Sequence, residues 1–159
     1  MAGKKKTKSS ALGLLADNRK ARFFYLVEDV LECGIELAGT EVKSMKSAQF
    51  SFTDAFAEVR DGELWLKNFH ITPYSHGGVF NHIAERPRRL LAKKKEILRM
   101  ERRVNEKGNT LIPLKFYLRR GYVKVELGLC RGKKLFDKRE SIKNRDIDRD
   151  MERDFKNHR

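Results

Sequence analysis

The chain has 159 residues, with 36 Lys and Arg against 22 Asp and Glu, a net charge of +14 and only two cysteines. That length suits one domain with tails, and no apolar run approaches the roughly 20 residues needed to cross a bilayer, so a soluble protein is expected. Cys33 and Cys130 form no C-x-x-C pair, and the N-terminus lacks the apolar core of a secretory signal. The expectation is a cytoplasmic protein with two free thiols and a polyanionic partner, nucleic acid first.

The charge is unevenly placed. Residues 1–22 sum to +6, 23–85 to −6, 86–134 to +13 and 135–159 to +1. Two basic regions flanking an acidic one point to an oriented docking surface, because a phosphate backbone is drawn to clustered Lys and Arg and repelled by carboxylates.

In chain order, residues 1–17 open with a Lys-rich run that has little to bury, and they read as a disordered basic arm. Residues 18–135 read as the folded body. Phe24, Tyr25, Leu26 and Val27 mix aromatic and β-branched types and suit a strand, with Gly34 allowing a bend before Leu37. Ala55, Ala57 and Val59 alternate with Phe56, Glu58 and Arg60 up to Asp61-Gly62, after which Leu64, Trp65 and Leu66 follow, a strong hairpin signal. A second hairpin is expected where Leu114–Leu118 meets Arg119-Arg120-Gly121 and turns into Tyr122–Cys130. There Val123, Val125, Leu127 and Leu129 share one face, and Lys124 and Glu126 face away.

Between the hairpins, Arg88–Lys107 spaces Leu90, Leu91, Ile97, Leu98 and Val104 as a helix, with Gly108-Asn109 as its stop. Arg89, Lys93, Lys95, Arg99, Arg102 and Arg103 occupy its other faces. Such a face is often merely solvated, but next to the basic arm and the Gly132-Lys133-Lys134 segment it is expected to meet phosphates. Short strands on both sides of a helix, without βαβ alternation, predict a mainly β fold. The expected form is a small antiparallel OB-like barrel with about three peripheral helices.

Residues 136–159 form the tail. On a helical wheel Ile147, Met151 and Phe155 make a narrow apolar stripe, with Arg145, Arg149, Arg153 and Lys156 opposite. Pairs such as Asp146 with Arg149 would add only about 0.2–0.5 kcal/mol each, so the tail is expected to be disordered when free and helical when bound.

Three constellations suggest chemistry and fail. Gly128-Leu-Cys-Arg-Gly132-Lys133-Lys134 has the wrong glycine spacing and no Ser or Thr for a phosphate loop. His70, His76 and His82 recur every six residues, a spacing that no helix or strand turns into a metal-binding face. No nucleophile, histidine and acid share a recognisable motif. No cofactor, metal or catalytic residue is assigned, and the chain is expected not to be an enzyme.

Glu32-Cys-Gly-Ile35, Gly39-Thr-Glu-Val-Lys-Ser44, Arg88-Arg-Leu-Leu91 and Gly132-Lys-Lys-Leu-Phe-Asp-Lys-Arg139 occur in this order from about Asn18 to the C-terminus. In these blocks the chain resembles the SmpB, or SsrA-binding, protein family. The resemblance implies a bacterial adaptor that binds the tRNA-like domain of transfer-messenger RNA and delivers it to stalled 70S ribosomes for trans-translation. It further implies contact with the small-subunit decoding centre and mRNA channel, and with elongation factor Tu only indirectly, through the charged RNA.

Residue by residue, the resemblance places Glu32, Lys43, Leu91 and Lys124 on an RNA-binding surface, to which Arg22, Phe23, Arg89, Lys133 and Lys134 are added. The tail residues Phe136, Asp137, Lys138, Arg139, Arg145, Ile147, Arg149, Met151, Arg153 and Phe155 would contact the ribosome and test whether message is missing. The chain departs from the family's usual pattern at Phe23 and Phe136, where histidine is common, and at Ala92, where leucine is common. A general translation-linked RNA chaperone or ribosomal protein is the nearest alternative, and an RNA-modifying enzyme a distant one.

Overall fold

The computed structural model describes residues 13–133 and 135–157. Most of the expected basic arm therefore lies outside the described residues, but its end does not: Leu14–Asp17 is strand β1, paired with the later strand β8 at Leu14↔Tyr117 and Asp17↔Lys115. The body thus begins before residue 18. Buried Asn18 anchors the next step. Its N–H donates to the Leu114 carbonyl (2.7 Å), its Nδ2 to Pro113 (3.0 Å), and its Oδ1 accepts from the Ala21 N–H (3.1 Å), capping helix α1, Arg19–Phe24. Phe24, expected at the start of a strand, is therefore helical.

Strand β2 runs unbroken over Tyr25–Ile35. Helix α2, Gly39–Lys46, follows, then β3 (Phe50–Ser51), β4 (Phe56–Arg60), β5 (Glu63–Lys67), β6 (His70–Ile71) and β7 (Arg88–Leu91). Helix α3 covers Lys94–Lys107, β8 Thr110–Arg119, β9 Tyr122–Gly132, and helix α4 Leu135–Asn157. Both expected hairpins form. Asp61-Gly62 (φ +53° and +76°) and Arg120-Gly121 (φ +52° and +80°) supply the paired positive φ angles that match strand twist in two-residue turns.

The expected helix from Arg88 is shorter than its periodicity suggested. Arg88–Leu91 is a strand, with Arg88 and Leu90 buried and Arg89 and Leu91 outward, and helix begins only at Lys94. Glu96 starts it by accepting from the Lys93 N–H (3.1 Å), and Gly108 ends it at φ +63°. Ile97 and Met100 are its buried residues, whereas Leu98 is exposed.

The strands follow one another around a barrel in the order β8-β4-β5-β7-β2-β9, and β9 returns to β8, with β1 on the free end of β8. Every pairing is antiparallel. Two long seams flank β9, with β2 from Tyr25↔Gly132 to Gly34↔Lys124 and with β8 from Thr110↔Cys130 to Arg119↔Tyr122, whereas a single pair, Ala57↔Leu111, joins β4 to β8. Inside sit Leu64, Leu66, Leu90, Val125, Leu127 and Leu129, with Phe69 stacked on Phe116 at 4.7 Å between ring centres. This is the mainly antiparallel barrel with peripheral helices that the sequence predicts.

Helix α4 takes the conformation expected of a bound tail. It touches the body near its middle, where Arg145 lies over the Phe23 ring at 5.1 Å.

Candidate nucleic-acid interface

Strand register builds the first cluster. Leu91 of β7 pairs with Gly34 of β2, Gly34 with Lys124 of β9, and Lys124 with Tyr117 of β8, so four residues lie in one row across four strands. Directly paired residues of antiparallel strands share a face. Because Gly34 has no side chain, Leu91 and Lys124 approach each other across it. A Cβ there would lie 3.3 Å from Leu91 Cβ and 3.7 Å from Lys124 Nζ. The glycine serves close approach, not the bend expected of it. Leu91 is 46% exposed and caps the row with an apolar surface.

Glu32, two residues before Gly34 on β2, accepts hydrogen bonds from the Tyr117 hydroxyl and from Arg119 Nη1, the latter at 2.9 Å. The Tyr117 hydrogen bond, with the Arg119 and Lys124 charges, outweighs desolvation and holds the Glu32 carboxyl below its ordinary pKa. Burial, reinforced by the same contact, pushes the Tyr117 phenol well above its ordinary value. Glu32 is thus an ionised acceptor that orders Tyr117 and Arg119 beside Lys124. The structure brings Glu32, Leu91 and Lys124 together, and adds Gly34, Tyr117 and Arg119, which were not assigned from sequence. Counting back from the two-residue turn pairs Tyr117 with Lys124, so that signal was present.

The other assigned residues are spread over the surface. Lys43, exposed on α2, has its Nζ 5.3 Å from the Tyr74 ring centre. Arg89 is exposed on β7 and pairs with Glu63 at 3.6 Å. Arg22 pairs with Asp17 at 3.7 Å, and Phe23 packs edge-on against Phe24 at 5.0 Å. The Lys133 N–H donates to the Phe24 carbonyl (3.0 Å), tying the root of the tail to α1. Lys134 lies outside the described residues. Arg139, Arg145, Ile147, Arg149, Met151 and Arg153 are exposed along α4. Phe136, Asp137, Lys138 and Phe155 are in its helical backbone, and their side chains fall outside the description.

The basic face of α3 is partly neutralised. Arg99 reaches Asp29 at 3.6 Å, and Arg103 reaches Asp29 and Glu28, each at 3.5 Å. These contacts hold the helix to β2, leaving Lys95 and Arg102 as exposed cations.

A second cluster is closed to solvent and explains two of the sequence blocks. Glu41 of Gly39-Thr-Glu-Val-Lys-Ser44 and Arg88 of Arg88-Arg-Leu-Leu91 are both 0% exposed and form a buried ion pair, which Arg86 joins from the surface side. Arg88 also donates to the carbonyls of Phe69 and Ala84, and Glu41 accepts from the Ala38 N–H at the start of α2. Burial pushes the Glu41 carboxyl up, but the Ala38, Arg86 and Arg88 hydrogen bonds overcome it and hold the pKa low. Nearby, Ser44 donates to the Thr72 carbonyl at 2.7 Å. These motif residues hold α2 to the barrel.

Among the described residues no group of His, Cys, Asp and Glu is arranged to hold a metal ion, and no helix is long and apolar enough to cross a membrane. Cys33 and Cys130 are buried free thiols, pushed up by desolvation to about 12 and about 11.

Comparison with known proteins gives one answer. The family model described as SmpB protein matches residues 15–157. The SsrA-binding protein of Treponema denticola is 58% identical over 143 residues, 90% of this chain and 93% of the relative. That of Borreliella burgdorferi is 48% identical over 143 residues, covering 90% and 95%. A solved chain described as "tmRNA-SmpB: a journey to the center of the bacterial ribosome" superposes with a TM-score of 0.65 at 46% identity, covering 80% of this chain and 93% of that one. With its barrel, its Glu32, Leu91 and Lys124 cluster and the two motifs joined at Glu41 and Arg88, the chain belongs to the SmpB family of SsrA-binding proteins.

Proposed function

We propose that this chain is an RNA-binding adaptor that binds the tRNA-like domain of transfer-messenger RNA and brings it to stalled ribosomes for trans-translation. The observation that carries the reading is the ordered surface row Leu91, Gly34, Lys124 and Tyr117 with Glu32 beside it. Relatives named SsrA-binding proteins and a solved relative described with tmRNA and the bacterial ribosome support it.

Lys124 and Lys43 meet phosphates, and Leu91 packs on an unstacked base or a sugar. Glu32 is a positioning residue that fixes Tyr117 and Arg119 and keeps Lys124 on station. Arg22, Arg89 and Lys133 extend the phosphate-binding surface, and Phe23 offers a ring in place of a charged contact. The adaptor works stoichiometrically in the cytoplasm, without turnover of its own, and meets elongation factor Tu only through the RNA.

The tail does a different job. Helix α4 enters the empty mRNA channel, with Arg145, Arg149 and Arg153 facing RNA walls and the Ile147 and Met151 stripe packing inward. Message in the channel excludes it.

Crosslinking the protein to RNA in cells and sequencing what is recovered tests the reading: one structured tRNA-like species should dominate. A broad spread of ribosomal or messenger fragments would sink it. Removing residues 135–159 should leave affinity for the tRNA-like domain nearly intact while abolishing rescue of stalled ribosomes, and equal loss of both would refute the division of labour.

A further inference from the structure

The stretch 23–85 is net acidic, yet Leu64–Ala84 holds no Asp or Glu. Within it, the single 3-10 turn Gly78–Phe80 forms the tip of the connection from β6 to β7. Val79 is 97% exposed, Phe80 93% and Ile83 75%, the three most exposed large hydrophobic residues among those described. The RNA-binding reading of Leu91, Lys124 and Glu32 makes no use of them.

The tip stands on a braced stem. Asn81 Oδ1 accepts from the N–H groups of Tyr74 and His82, each at 3.1 Å, and its Nδ2 donates to the Tyr74 carbonyl at 2.7 Å. The His82 ring bridges the Thr40 hydroxyl and the Ile71 carbonyl, both at 2.9 Å, which fastens the stem to α2. Gly78 takes the positive φ of +56° that the turn needs. A stem this well bonded holds its apolar tip out in water, and apolar groups clustered in that way mark a contact surface.

The chemistry around the tip selects the partner. Lys43 stands 5.3 Å from the Tyr74 ring on the same stem, and His76 packs edge-on to that ring at 5.6 Å. A convex tip of three apolar side chains is far too small for a stable protein interface, which buries about 1,200–2,000 Å² in total. It is the right size for one nucleotide, whose base offers a flat face to a phenyl ring and whose phosphate suits a lysine such as Lys43.

We infer that the Gly77–Ile83 tip is a base-stacking finger, with Phe80 laid against an unstacked base of the tRNA-like RNA and Val79 and Ile83 closing its edges. The inference rests on the RNA-binding reading above and extends the interface from Lys43 along the β6–β7 connection.

The test uses the full chain and an in vitro transcript of the tRNA-like domain, with an elongator tRNA as control. Phe80→Ala should weaken binding about tenfold, as loss of one base–aromatic stack does. The slope of affinity against salt should not change, because no phosphate contact is lost. Phe80→Trp should keep the affinity and show indole quenching on addition of RNA, beyond the Trp65 background of the unmodified chain. Thermal midpoints should be unchanged, since the side chain is exposed. If the unmodified chain prefers the transcript and Phe80→Ala and Val79→Ser bind it equally well, the finger is refuted while the RNA reading stands. If Phe80→Ala binds the transcript normally but loosens from ribosomes, the tip belongs to another partner and the inference is overturned. Loss of preference for the transcript by the unmodified chain would refute the RNA reading and the finger together.

Discussion

Glu41 and Glu32 both meet arginines, and their surroundings set them apart. Glu41 is closed off, with Arg88 wholly buried beside it and Arg86 lidding the pair. Glu32 sits at the surface, held by Tyr117 and Arg119 next to Lys124. Both belong to short sequence blocks that identify the family, and the blocks alone assign them similar importance. The difference teaches that two acids from neighbouring motifs can stand in opposite settings, one closed inside the barrel and one open at its surface, and burial tells them apart.

The sharpest way to break the comparison is to truncate each acid. Glu41→Ala leaves Arg88 buried without its counter-ion and should cost about 3–5 kcal/mol of stability in denaturant titrations. Glu32→Ala should cost no more than about 1 kcal/mol, because its partners can turn to water. Equal losses would erase the distinction between interior and surface roles. RNA binding should invert the ranking among folded proteins: Lys124→Ala and Lys43→Ala keep their unfolding midpoints, weaken RNA binding, and each lower the salt slope by about one. An unchanged slope would remove that lysine from the interface.

Acid separates the two sites less strongly. The folded pKa of Glu41 lies below its ordinary 4.5, so the stability it contributes is complete above that value and is lost as pH falls through the depressed one. The unfolding midpoint should therefore drop on the acid side, and Glu41→Gln should flatten that drop more than Glu32→Gln does. The smallest effect is at the thiols. With values of about 12 and about 11, Cys33 and Cys130 should resist iodoacetamide at neutral pH in the folded chain and react only after denaturation.

Both hairpins were legible in the sequence because their instructions are local: Asp-Gly or Arg-Gly at the turn, flanked by alternating residues. Helix α3 was legible from its glycine stop but extended too far back, since Arg88-Arg-Leu-Leu91 fits a helical wheel as well as a strand. What makes it a strand is pairing with β2 and β5, with Arg88 held inward by Glu41, 47 residues earlier, and no local pattern reports such distant partners. Phe24 was drawn into a strand for the same reason, because the Asn18 that caps α1 at the Ala21 N–H is itself anchored by bonds to the distant Pro113 and Leu114. Of the candidate interface, Glu32, Leu91 and Lys124 were named from the family resemblance, and the structure places them near one another. Tyr117 and Arg119 needed the strand register, and the exposed finger needed knowledge of burial.

The seam between β2 and β9 joins parts of the chain about a hundred residues apart, the kind of non-local pairing that slows folding. A nascent chain can complete neither this seam nor the row that includes Lys124 until β9 has left the ribosome. A copy of this protein cut short by a broken message before Tyr122 would lack the strand that closes the barrel. By this logic, a message broken anywhere upstream of β9 yields a fragment that cannot close its barrel, and only a copy that has completed this strand can present the row.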